Sequence, residues 1–225
     1  MQNLTIKKII EFKAKSERSK KTFVANLKVE KEKNSDGGGG DYWQRSLTAI
    51  SNGYKLNTPK PIKEKMQVLE DLVEIEQNKK TKNMYQRNLD ILSKYEDVDF
   101  KRWRPSTLAS FLKKHKVDLV LSVRGLNIEA KPQYVFSFGN NEDKEIGAIW
   151  FIAKLGGFKK DELGMFADIT FRYLTKSFGK DYSIDPKHCI AVDVFNDISV
   201  NYSHIQKNQI TPLLQPTIEE MKKFM

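Results

Sequence analysis

Residues 117–138 read VDLVLSVRGLNIEAKPQYVFSF. Apolar and polar residues alternate on either side of Arg124-Gly125, the pattern of half-buried strands joined by a tight turn. The first strand is expected over Asp118–Arg124 and the second over Asn127–Phe138. Pro132 lacks an amide donor, so it places the second strand at an edge or at a bulge. Gly139-Asn-Asn-Glu-Asp143 signals the next turn. Ile146–Lys154 is nearly all apolar and reads as a central strand, ended by Gly156-Gly157. A helix is expected from about Lys160 to Ser177, with Leu163, Phe166, Ile169, Tyr173 and Leu174 inward and Asp168 toward solvent. A fourth strand follows over Cys189–Phe195, then a short strand and a last helix starting at Thr217.

Upstream, Pro105-Ser106 is expected to open a helix over STLASFLKKHK, with the cations at its C-terminal end favoured by the helix dipole. The expected order from residue 105 is therefore αβββαβ. Residues 3–13 alternate loosely and suggest a strand, and residues 17–31 a short basic helix. KNSDGGGGD (33–41) has no Lys-Ser/Thr pair after its glycines, so it reads as a connector rather than a phosphate loop. A helix opens at Tyr42-Trp43. Two more, behind Pro61 and over about 79–95, form a helical hairpin. The chain thus reads as an α+β protein in three parts. These are a basic segment (1–35), a helical region (36–104) and a mixed β-meander domain (105–225).

The 225 residues carry 39 Lys/Arg against 29 Asp/Glu, a net charge of +10. The excess lies in residues 1–35 and 101–225, which suits a nucleic-acid partner, DNA or RNA, or a solvated lysine-rich surface. Lys101, Arg102 and Arg104 flank Trp103, and Lys113-Lys114 follow. Cations around an aromatic ring can hold phosphates while the ring stacks a base. The other reading of Trp103 is a core side chain with its neighbours in water. One cysteine, Cys189, excludes an internal disulfide and suits a reducing cytoplasm. His115, His188 and His204 have no zinc-site spacing and no evident partners. The longest apolar run, Ile146–Ala153, is far short of the ~20 residues a membrane span needs, and no secretory signal is expected.

Asp118, Glu129 and Lys131 combine two carboxylates and a lysine on adjacent strands, a set that can hold a divalent metal and act on a phosphodiester. Asp193, an acid between valines in an apolar strand, is a further candidate carboxylate. The D…ExK set within αβββαβ order resembles the PD-(D/E)xK nuclease superfamily over about residues 105–196. The resemblance implies Asp118 and Glu129 as Mg2+ ligands and Lys131 as the lysine near the attacked phosphate. Matching strand order instead puts the motif on IGAIWFIAK, with Lys154 as the lysine and Ile152 in the acidic place. Function is expected to be nucleic-acid-associated, as a metal-dependent nuclease of a mobile-element or defence system. The alternative is a non-catalytic subunit that binds nucleic acid or protein.

Overall fold

The structure, a computed structural model, describes residues 3–28, 42–106, 108–112, 119–140 and 144–225. The glycine connector, Lys113, Lys114, Asp118 and the turn residues 141–143 lie outside the described residues. Among the described residues the protein is α+β, with a helical N-terminal part followed by strands. No helix among them is long and apolar enough to cross a membrane.

A five-stranded sheet is the centre. Its order is β2 (Leu108–Leu112), β5 (Tyr134–Gly139), β6 (Lys144–Ile152), β7 (Ser183–Asp193) and β8 (Ile198–Asn201). β2, β5 and β6 form an antiparallel meander. The chain then crosses through α6 (Lys160–Phe178) and returns as β7, parallel to β6. β8 turns back antiparallel on β7 and runs into the short helix α7 (Tyr202–Gln206).

β6 explains why two layers cover this sheet. Every residue from Ile146 to Ile152 is buried, so the strand has no solvent face. Trp150, Ile152, Ala148 and Ile146 contribute to one core, with α6, α1 (Ile6–Lys13) and α8 (Leu214–Lys222). Trp150 donates its indole N–H to Thr170 Oγ1 of α6 at 2.6 Å. Ile149 and Phe151 point into a second core with α3 (Gln44–Leu56), α4 (Lys60–Ile75) and α5 (Lys79–Ser93). The helical region thus shares its core with the sheet. Lys20 of α2 (Glu17–Lys28) reaches Glu17 and Glu220, joining α2 to α8.

A smaller sheet lies in the first layer. β3 (Val120–Val123) and β4 (Leu126–Glu129) form a hairpin, and β1 (Leu4–Thr5) runs parallel to β4. Arg124 and Gly125 both have positive φ, 52° and 82°, as a two-residue primed turn requires. The turn sets Val120 opposite Glu129.

Several expectations change. The helix expected over 106–116 is, in its described part, strand β2; pairing with β5 overrides its helical spacing. Residues 3–13 form a two-residue strand and then helix α1, with Ile6, Ile9, Ile10 and Phe12 buried on one face. The long second strand is two strands, β4 and β5, in different sheets. Pro132 lies in the break, where Gln133 replaces a ladder partner. Its side chain donates to Phe151 O at 2.7 Å and accepts from Phe151 N at 2.8 Å. In the central sheet β2, β5 and β6 are the meander, with β3 and β4 inserted between its first two strands.

β7 carries a large bulge. Between two paired positions β6 advances from Ile146 to Ala148, while β7 advances from Ile184 to Cys189. The four residues Asp185-Pro186-Lys187-His188 thus stand against the single residue Gly147, a surplus of three. Gly147 lies beneath it, where a Cβ would stand 2.6 Å from His188 Cβ. Only glycine admits that approach without rearrangement.

Tyr54 anchors the second core, fully buried, with ring contacts to Phe100, Phe111, Tyr134, Phe136 and Phe151. Among the described residues its hydroxyl reaches only Trp103 O, at a long 3.5 Å. Tyr54→Ala is expected to cost about 3–5 kcal/mol in denaturant unfolding, and Tyr54→Phe less than ~1 kcal/mol. Equal losses would show that the hydroxyl, not the ring, is what the core needs.

Candidate functional site

Glu129 ends β4 beside Thr5 of β1. Thr5 caps α1, accepting the Lys8 amide at 3.3 Å. Beyond Glu129 the Ala130 amide donates to Leu119 O at 2.7 Å, and the chain then leaves the hairpin. Lys131 turns back, its Nζ 2.8 Å from Glu129 Oε2. These groups edge a cleft of about 230 Å3, with Lys7, Gln133 and the β6 residues Trp150 and Ile152 among its walls. Its floor is apolar, and its charged groups are Lys7, Glu129 and Lys131.

Two of the three expected catalytic residues therefore meet. Glu129 and Lys131 form an ion pair, but not through strand alternation, because β4 ends at Glu129 and Lys131 lies beyond it. Asp118 lies outside the described residues. Among the described residues no group of three His, Cys, Asp or Glu side chains could hold a metal ion. The cleft itself offers one carboxylate, already engaged by an ammonium group. The second expected ligand, Asp118, is not among the described residues. Strand order matched on β6 fares no better. Ile152 is buried, and Lys154 pairs with Glu162 at 3.2 Å.

The basic-aromatic cluster needs correction. Trp103 is 4% exposed and packs against Tyr95, Phe100 and Phe151, so its face cannot stack a base. Arg104 donates to the Tyr54 and Lys55 carbonyls. It closes the C-terminal end of α3, where carbonyls lack helical partners. Arg102 lies 3.9 Å over the Trp103 ring and grips Asp197 with both terminal nitrogens, at 3.1 and 2.6 Å. Lys101 is exposed. Lys113 and Lys114 lie outside the described residues.

Asp193 is fully buried and serves the fold. Its carboxylate accepts the Phe158 amide at 2.8 Å and the Phe195 amide at 3.1 Å, clamping the loop after β6 to the end of β7. Burial pushes its pKa up, while the two amides oppose that shift. Gly157, at φ +72°, fits beneath this clamp; a Cβ there would lie 2.6 Å from Asp193 Oδ2. Asp168, expected toward solvent, is 3% exposed. Burial raises its pKa against the pull of Arg172, whose Nε is 2.7 Å away. A buried charge needs such a partner.

Sequence reasoning passed over Thr5, Lys7 and Gln133. The first two reach the cleft only because residues 4–5 pair with β4, a contact across more than a hundred residues. It also gave His188 no partner, whereas the bulge brings its Nδ1 to 2.6 Å from Asp185 Oδ2. The signal was the proline in Asp-Pro-Lys-His, which interrupts an otherwise regular strand.

No family model, curated protein or solved structure matches this chain.

Asp193→Asn would turn an amide N–H2 toward a backbone N–H that now donates. The expected loss is about 1–3 kcal/mol in chemical unfolding. Unchanged stability would show that the clamp contributes nothing to the fold.

Proposed function

We propose that the protein is nucleic-acid-associated and that the cleft of Lys7, Glu129 and Lys131 receives the phosphodiester backbone. The observation that carries this reading is the cleft's own make-up. Two lysines on separate elements flank an apolar floor, in a chain of net charge +10. A phosphate entering there would replace Glu129 as partner of Lys131, and the sugar or base would meet the floor. Each lysine that neutralises a phosphate releases a counterion, which gives the interaction its driving force at low salt. Glu129 holds Lys131 in place before the ligand arrives.

Cleavage is the stronger form of the same reading, a metal-dependent nuclease of a mobile-element or defence system. It requires Asp118 as a second carboxylate beside Glu129. Binding without cleavage requires only the lysines.

Binding to single- and double-stranded DNA and RNA, measured by fluorescence anisotropy across a salt series, tests the reading. The logarithm of the affinity is expected to fall linearly with the logarithm of salt concentration, and Lys7→Ala and Lys131→Ala each to reduce that slope by about one. No binding at low salt, or slopes unchanged in both variants, would refute the cleft as the site. The same substrates with Mg2+ or Mn2+ test cleavage. Activity abolished by Glu129→Ala would establish the nuclease form, whereas activity that survives would place the chemistry elsewhere.

A further inference from the structure

A second cleft, of about 350 Å3, lies on the opposite side of the β7 bulge from Gly147's strand, between that bulge, β8 and the 3-10 turn Phe100–Arg102. Its walls include Arg102, Lys187, His188, Ser199, Asn201 and Ser203. We propose that this cleft binds a phosphate-type oxyanion, of the phosphomonoester class. The proposal does not rest on the nucleic-acid reading.

The walls supply hydrogen-bond donors and no carboxylate. The ionised groups on its walls are cations. The carboxylates that hold two of its residues, Asp197 and Asp185, are not among the lining residues. Arg102 spends two N–H groups on Asp197 and lies over the Trp103 ring, so its guanidinium is fixed and its other donors are already oriented. Lys187 is exposed, and its ammonium makes no ion pair among the described residues. His188 meets Asp185 through Nδ1, which leaves Nε2 for a ligand. Asn201 uses its side-chain oxygen to accept from Ser203 Oγ at 2.7 Å, which leaves its N–H2 to donate. Ser199 adds an exposed hydroxyl. Several oriented donors around a small space are what a tetrahedral oxyanion needs.

The local backbone points the same way. Asp185-Pro-Lys-His188 is extra chain in an otherwise paired strand. Asp185 Oδ1 accepts the Lys187 amide at 2.9 Å, and its Oδ2 meets His188, so one carboxylate shapes the whole bulge. Its pKa is raised by burial and lowered by His188 and the Lys187 amide, and the lowering prevails. Gly147 leaves the room that the bulge requires. Bulges often re-aim a side chain at a site, and here two cleft residues, Lys187 and His188, are carried by one.

Titration of the 15N-labelled full chain with inorganic phosphate, and separately with a nucleoside monophosphate, tests the proposal by NMR. Saturable shifts are expected at the His188 ring and at the Ser199 and Asn201 amides. Lys187→Ala, an exposed substitution that leaves the fold intact, is expected to weaken both ligands about five-fold or more. Lys131→Ala is expected to leave the affinities read at His188, Ser199 and Asn201 unchanged, which separates this site from the nucleic-acid cleft. Tighter binding of the nucleotide would identify an esterified phosphate, and equal binding the oxyanion alone; either supports the site. Shifts that do not saturate, or affinities unaltered by Lys187→Ala, would overturn it.

Discussion

Burial of β6 on both faces is the constraint on which the rest depends. A strand with Ile146 through Ile152 all inside cannot lie at a surface, so two layers must cover it. α6 and the terminal helices α1 and α8 cover one face, and α3, α4 and α5 the other. The aromatic residues follow from this demand. Tyr54, Phe100, Trp103 and Phe151 fill the second layer, and Trp150, Phe158 and Phe166 the first. That use of Trp103 is why the basic-aromatic segment cannot read bases.

The same burial fixes where backbone can depart from regularity. The parallel neighbour β7 accommodates its surplus residues only because β6 offers Gly147 beneath them. At the other end of the pair the chain leaves β6 through Gly156 and Gly157, both at positive φ, and is clamped by Asp193. Two clefts border this arrangement. One is bounded by β6 and the small sheet, the other by the β7 bulge and β8.

Much of the fold was legible where pattern and punctuation agreed. The Arg124-Gly125 turn, β6, the α4–α5 hairpin and α6 all follow from local sequence. β2 was not legible, because Leu108, Phe111 and Leu112 suit a helix face as well as a strand, and only the edge of β5 decides between them. The site was half legible. Glu129 and Lys131 were both singled out by their spacing, but their ion pair forms where the chain leaves β4, which strand alternation does not foretell. The buried states of Asp168 and Asp193 do need it, since an acid in an apolar run is compatible with a strand end, an exposed helix face or an internal clamp.

The sequence by itself determined the α+β class, the apolar central strand, the crossover helix and the excess of positive charge, because each is set by composition or by short-range periodicity. The tertiary structure decided which cations are free and which are spent. Arg104 is bound to the end of α3, Arg102 shares its donors between Asp197 and a cleft, and Lys7 reaches Glu129's neighbourhood through β1. Those assignments depend on partners about fifty to more than a hundred residues away, and such contacts leave no periodic trace in a single chain.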